Sequence, residues 1–328
     1  MINWGIIGCG DVTEVKSGPA FNKVPESKLI AVMRRDATKA EDYAHRHHVE
    51  KWYADATALI NDPDVNAIYI ATPPSYHEAY TMEAVAAGKP AYVEKPMALD
   101  ENACLRMVAA AKKHNVKLSI AHYRRAQPMF LHIKKLIDGG TIGAVRFVNL
   151  KMLQPAGSKI IASTEENWRV DPTISGGGLF HDLAPHQLDL MLYFFGGVTQ
   201  FAGVSGNQAA LYPADDIVAG QIKFGSGIIF SGTWCFTVPE KEALDVCEIM
   251  GSKGKIAFPV FGKMVTVTIG GKEEITEFDH PRHVQQPMIE KVVQYFLGKG
   301  PNPCPVEEAT SVIQIMDGFT KKTILRHF

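Results

Sequence analysis

What most constrains this chain is an alternation in its first 122 residues: short apolar runs separated by segments with helical spacing. The runs fall at 2–8 (INWGIIG), 29–33 (LIAVM), 67–71 (AIYIA), 91–94 (AYVE) and 117–122 (KLSIAH). Runs this short and this apolar suit strands buried on both faces, as a parallel sheet requires. Helix start signals lie between them. Asp36 precedes 37–48, Asp55 precedes the turn-length 56–60, Ser75 precedes 76–87 with a stop at Gly88, and Asp100 precedes 101–114. Repeated β–α units with right-handed crossovers build a doubly wound parallel sheet.

The period changes after residue 128. One more helix, 128–138, closes on Gly139-Gly140. Strand-like runs follow at 144–153, 216–224, 227–236, 243–250, 255–260 and 264–269, several separated by tight glycine turns, and they predict an antiparallel meander. A helix at 182–195 interrupts them, and 286–297 and 306–325 return to helical spacing. At about 150 residues per domain, 328 residues make two domains. The predicted fold is α/β plus α+β: a doubly wound parallel-sheet domain of the nucleotide-binding type over 1–122, then a mostly antiparallel domain over 123–328. Apolar residues alternate along 144–153 and 227–236, and the helices can cover only one side of that sheet. A homodimer or homotetramer through the C-terminal sheet is therefore expected.

Charge excludes some partners. Lys plus Arg total 34 against 35 Asp plus Glu, so no electrostatic footprint points to nucleic acid or an anionic membrane. The longest apolar run, 190–198, contains two glycines and falls short of the roughly 18 residues that span a bilayer. The five cysteines form no CxxC pair, which argues against a disulfide framework or structural zinc. There is no basic, apolar leader pattern at the N-terminus, so the expected compartment is the cytoplasm.

The segment Gly8-Cys9-Gly10-Asp11-Val12-Thr13 stands where a dinucleotide loop must stand, between the first strand and a helix. Gly8 permits the tight turn and Gly10 a close approach to a pyrophosphate; Thr13 replaces the third glycine. The competing reading is a plain turn. Where an NAD-binding unit places a carboxylate, at the end of the second strand, this chain has Arg34 and Arg35, with Lys39 nearby. Guanidinium groups there suit a 2′-phosphate, hence NADP, with NAD as the alternative. The competing reading is an exposed arginine pair beside a helix-capping Asp36.

Glu94-Lys95-Pro96 closes a strand of the parallel sheet, and ligands bind outside such strand ends. In Gly176-Gly177-Gly178-Leu179-Phe180-His181-Asp182-Leu183-Ala184-Pro185-His186, three glycines offer a backbone that can lie against a flat ring. Asp182, His186 and Asp189 fall at i, i+4 and i+7 on one helix face. His186 is the natural general acid/base, because histidine titrates near neutral pH. A capping Asp182 with an interior His186, or a metal site using His181, Asp182 and His186, are the other readings. His45-x-His47-His48 reads as an exposed helix end rather than a metal site, and no metal is expected.

These residues resemble the Gfo/Idh/MocA oxidoreductases, the glucose–fructose oxidoreductase and inositol dehydrogenase group. The resemblance runs through GIIGCG at 5–10, ATPPSYH at 71–77, YVEKPMA at 92–98, YRRAQP at 123–128, GTIGAV at 140–145, NWRVDPTISGGGLFHDLAPHQLD at 167–189 and EIMGSKG at 248–254. It implies a Rossmann domain followed by an open-faced sheet domain that mediates oligomerisation. It implies Lys95, Asp182 and His186 as catalytic residues, and Thr72, Pro73, His77, Glu94 and Lys95 on the cofactor side with Gly8 and Gly10. Trp168 and Arg169 would border nicotinamide and substrate, and Tyr123 would join the substrate side. Arg34 resembles the NADP-preferring branch that includes dihydrodiol dehydrogenase and 1,5-anhydrofructose reductase.

The expected function is hydride transfer between NADP(H) and a secondary alcohol or ketone of a carbohydrate-like substrate: a sugar, polyol or dihydrodiol. Two alternatives come from relatives of the family, a nicotinamide-assisted glycoside hydrolase and a non-catalytic cofactor-sensing regulator. Retention of Lys95, Asp182 and His186 argues against the regulator.

Overall fold

Strand β1 (Ile2–Ile7) is the point at which a six-stranded parallel sheet reverses its order. The computed structural model describes residues 1–158, 160 and 168–320. The chain divides into two units, Met1–Gln127 with Pro281–Ile313, and Pro128–His280 with Gln314–Phe328.

In the first unit the order is β1, α1 (Asp11–Val15), β2 (Ser27–Met33), α2 (Ala37–His47), β3 (Lys51–Tyr53), α3 (Ala56–Asn61), β4 (Ala67–Ile70), α4 (His77–Ala86), β5 (Ala91–Val93), α5 (Glu101–His114) and β6 (Leu118–Ile120). The sheet runs β3-β2-β1-β4-β5-β6, so β1 lies between β2 and β4. Three of the predicted helix starts are side-chain caps: Asp36 accepts from Lys39 N, Asp55 from Ala58 N and Asp100 from Ala103 N. Ser75 is not a cap. It lies in a 3-10 turn, Pro74–Tyr76, set up by the fixed φ of proline, and α4 starts only at His77. The edge strand β3 went unread because its residues are only half covered.

The second unit contains α6 (Pro128–Asp138), β7 (Val145–Leu153), α7 (Pro172–Ser175), α8 (Leu179–Phe195), β8 (Val198–Gly206), β9 (Ile217–Phe224), β10 (Ile229–Cys235), β11 (Leu244–Gly251), β12 (Gly254–Phe258), β13 (Met264–Ile269) and β14 (Lys272–Glu277). Its sheet runs β14-β13-β12-β11-β7-β10-β9-β8 and is antiparallel except at its middle, where β7 and β10 pair in parallel, Phe147 opposite Ile229. The predicted meander is corrected there: the β8–β9–β10 group returns along the open edge of β7 in the same direction. Val148, Leu150, Met152, Phe230, Trp234, Ile222 and Ile249 are buried on one face. Helix α8 covers that face, with Phe180 against Trp234, Phe195 against Phe224, and Trp234 Nε1 donating to Gln187 Oε1 at 2.6 Å. Strands β8 and β14 escaped sequence reading because one is mostly exposed and the other is charged, as edge strands tend to be.

Two further helices follow, α9 (Gln286–Phe296) and α10 (Val306–Thr320); the predicted extension to residue 325 lies outside the described residues. The sequence reading assigned all of 123–328 to the second domain, but 281–313 groups with the first unit. Phe296 lies against Trp4, Lys117 Nζ donates to Tyr295 O at 2.8 Å, and Asn302 donates to Leu118 O at 2.9 Å. Helical spacing shows that α9 has an apolar face; it does not show which sheet that face covers.

Candidate active site

The turn after β1 needs glycine at its first position. Gly8 has φ +93°, and a Cβ there would lie 2.9 Å from Ala71 C, Thr72 N and Thr72 Cγ2. Gly8 N and Cys9 N both donate to Met33 O, which ties the loop to the end of β2. Gly10 caps α1, and a Cβ there would meet nothing within 4 Å, so the loop is open on that side. Asp11 and Val12 begin α1. Thr13, in the place of the third glycine, is fully buried; its Oγ1 donates to Gly10 O and its carbonyl accepts from Tyr43. The close packing expected of a third glycine falls at Gly18, where a Cβ would lie 2.3 Å from Thr13 O and Tyr43 Oη.

At the end of β2, Arg34 is half-buried, and its Nη1 lies 3.4 Å from Cys9 O on the glycine loop. Burial pushes the Cys9 thiol up to about 12 against the opposing pull of Arg34, so Cys9 packs as a neutral thiol. Arg35 is exposed and donates to Tyr76 Oη at 3.3 Å. Lys39 is exposed in the first turn of α2. The other end of α2 gives no histidine cluster: His48 takes φ +54°, and His47 Nε2 lies 2.8 Å from Glu14. Arg46 grips Glu14 with two nitrogens and, with His47, holds its carboxyl down at about 2.

After β4, Thr72 Oγ1 is buried with no hydrogen-bond partner, beside Gly8. Pro73 and Pro74 supply no N–H in this loop. His77 is fully buried, its Nδ1 2.9 Å from Pro96 O and its Nε2 2.8 Å from Thr72 O. Its ring thus ties the loop after β4 to the loop after β5, and burial lowers its pKa.

After β5, Glu94 is buried and accepts from the Tyr69 hydroxyl and from Gln285 Nε2 at 2.6 Å. Burial first, and then the Glu94 charge, raise the Tyr69 pKa well above its ordinary value. Gln285 N in turn donates to Lys16 O, and His283 Nδ1 lies 2.6 Å from Val15 O. No spacing rule links Gln285 to Glu94, and sequence reasoning missed it. Lys95 follows Glu94, half-buried and joined to Pro96 by a cis peptide. Tyr123 is buried, with the Arg124 guanidinium 5.5 Å from its ring centroid.

The second unit holds the other predicted residues. Helix α8 starts at Leu179, three residues before the predicted start, so Asp182 lies in its first turn and is not its cap. Arg169, buried in the turn Trp168–Val170, donates from Nε to Asp182 Oδ2 at 3.1 Å, and its guanidinium lies 4.4 Å from the Trp168 ring centroid. His186 is buried one turn further on, edge-to-face with Phe261 at 5.7 Å. Asp189 is buried in the same helix. The glycine run serves the protein's own packing: a Cβ on Gly177 would lie within 2.2–2.9 Å of the His181 ring, and one on Gly178 would lie 2.4 Å from Ala214 Cβ. The flat ring against this backbone is His181, fully buried, with its pKa lowered to about 4 by burial. Asn167 lies outside the described residues.

The first unit is built to hold a dinucleotide. The order reversal at β1, the left-handed Gly8, the open side of Gly10, the orphaned Thr72 hydroxyl and the guanidinium of Arg34 converge on one end of the sheet. That defines a Rossmann domain of the kind that binds nicotinamide dinucleotides. Residues 2–122 match the GFO/IDH/MocA oxidoreductase family with its NAD-binding Rossmann fold, and residues 130–257 match the GFO/IDH/MocA C-terminal domain. The chain belongs to this family and is an NAD(P)-dependent oxidoreductase. It is 48% identical over 318 residues to oxidoreductase P35 of Formosa agariphila, covering 97% of this chain and 98% of that one. It is 27% identical to trans-1,2-dihydrobenzene-1,2-diol dehydrogenase of Xenopus laevis, over 87% of this chain and 83% of the relative. Levoglucosan dehydrogenase, solved with NADH and levoglucosan, shares the fold at a TM-score of 0.85 and 22% identity, over 97% of this chain and 96% of that one. Among the described residues, no helix is long and apolar enough to cross a membrane.

Proposed function

We propose that this oxidoreductase transfers a hydride between NADP(H) and a secondary alcohol or ketone of a sugar, polyol or dihydrodiol. The observation that carries the cofactor choice is Arg34, half-buried at the end of β2 with Nη1 3.4 Å from Cys9 O. The substrate class is supported by the relatives named for dihydrobenzenediol and levoglucosan.

When bound, the dinucleotide accepts or supplies the hydride. The chain's residues handle the proton and the charge. In oxidation, His186 takes the proton of the substrate hydroxyl as a hydride leaves the carbon; in reduction it returns that proton. Lys95 stabilises the oxygen as negative charge develops on it. Asp182, held by Arg169, accepts a hydrogen bond from a substrate hydroxyl. Residues 1–122 hold the cofactor, and the domain beyond them binds substrate and assembles the oligomer.

The test is an absorbance screen of NADP, NADPH, NAD and NADH against sugars, inositols, dihydrodiols and keto-sugars, with dissociation constants for each cofactor. NADP is expected to bind about tenfold to a hundredfold more tightly than NAD, the worth of a charge-assisted hydrogen bond. Arg34→Asp should erase or reverse that preference. Equal affinities for both cofactors overturn the NADP assignment, and glycoside cleavage without net cofactor turnover would support the hydrolase reading.

A further inference from the structure

Arg35 and Tyr76 meet across the end of β1. Arg35 follows β2 and Tyr76 follows β4, and the strand between β2 and β4 is β1, which carries the glycine loop. Neighbouring strands lie about 4.8 Å apart, so the ends of β2 and β4 are separated by roughly 10 Å, on either side of β1. The contact between Arg35 and Tyr76 is made twice over. Arg35 Nη1 donates to Tyr76 Oη at 3.3 Å, and the guanidinium carbon lies 5.1 Å from the Tyr76 ring centroid. Tyr80, one turn further along α4, stacks on Tyr76 with centroids 6.1 Å apart and planes at 22°. Arg35, Tyr76 and Tyr80 therefore form a clasp that joins the segments following β2 and β4, while Arg34 reaches Cys9 O on the glycine loop.

We propose that Tyr76 is a specificity-determining residue that acts through Arg35: it pre-positions the guanidinium for a ribose 2′-phosphate. The proposal rests on the reading that this site takes NADP. A long exposed arginine loses rotamer freedom when it grips a phosphate, and a side chain already held in place loses less. A guanidinium has five N–H donors, and the Tyr76 hydroxyl engages one, leaving donors to take phosphate oxygens in pairs. Tyr76 thereby favours the 2′-phosphorylated nucleotide without itself being a phosphate ligand.

Adenosine fragments test this by calorimetry, independently of turnover. The parent, Tyr76→Ala, Tyr76→Phe, Arg35→Gln and the Tyr76→Ala/Arg35→Gln double variant are titrated with 2′,5′-ADP and with 5′-AMP. The parent should prefer 2′,5′-ADP. Tyr76→Ala should cut that preference about threefold to tenfold through weaker 2′,5′-ADP binding, with 5′-AMP little changed. Tyr76→Phe, which keeps the ring, should fall between the two. The double variant should lose no more preference than Arg35→Gln alone, because both changes disable one device. A parent without preference removes the NADP reading itself. A parent with preference that Tyr76→Ala leaves intact, or strictly additive losses in the double variant, overturns the clasp while NADP binding stands.

Discussion

Arg169 donates from Nε to Asp182 Oδ2 at 3.1 Å, and the arginine side chain is only 7% exposed. The aspartate expected to touch substrate is thus anchored by a buried guanidinium thirteen residues upstream, which also lies against Trp168. Arg169 thus contacts both Trp168 and Asp182, two residues placed on the site by resemblance.

Removing one member of a largely buried ion pair leaves the other charge poorly compensated. Arg169→Leu should lower unfolding free energy by about 3 kcal/mol, read by urea denaturation. Arg169→Lys should recover part of the stability but not the turnover, because ammonium cannot reproduce the Nε geometry. Full activity in the lysine variant would rule out a positioning role for Arg169.

Lys95→Met should reduce turnover by about 10²–10⁴ while cofactor affinity changes far less. Steady-state kinetics beside cofactor titration separates the two. Turnover within a few-fold of the parent would show that Lys95 is not catalytic.

His186→Ala should abolish the acid/base limb of the pH–rate profile in a protein that still gives a cooperative thermal transition. A limb persisting at the same pH in the variant would assign the titration to another group.

His181 makes stability depend on pH. Its folded pKa is about 4 against an ordinary 6.5, so the unfolded chain takes up a proton first as pH falls. Stability from this group is therefore complete above 6.5 and declines toward pH 4, by about 1.4 kcal/mol per pH unit in mid-range and about 3 kcal/mol in all. His77, also lowered by burial, adds in the same direction. Urea midpoints between pH 7 and 4.5 should show this slope, and His181→Gln should flatten it. An unchanged slope would place the proton uptake elsewhere.

The face of the second sheet turned away from α8 carries Phe147 at 40% exposure directly opposite Ile229 at 41%, with Met250 paired to Phe147 on the other side. A dimer or tetramer through this face should appear by light scattering at micromolar concentration, and Ile229→Lys should shift it toward single chains. A parent that scatters as one chain contradicts the assembly.

The sequence alone determined what is local. Asp36, Asp55 and Asp100 each accept from a backbone N–H three residues on, so the caps are set within one turn of chain. Gly8 is readable because only glycine takes its φ without strain, and the β–α alternation follows from which residues are apolar on both faces. Tertiary structure decided the rest, because choosing a distant partner depends on which surfaces meet. Glu94 finds Gln285 191 residues away, β7 takes β10 as a parallel neighbour, and α9 covers the first unit rather than the second. Gly177 shows the limit most plainly. Its sequence neighbours suggest a backbone cleared for a ligand ring, but the ring it makes room for is His181 of the following helix, because the contact is set by how α8 leaves its glycine cap.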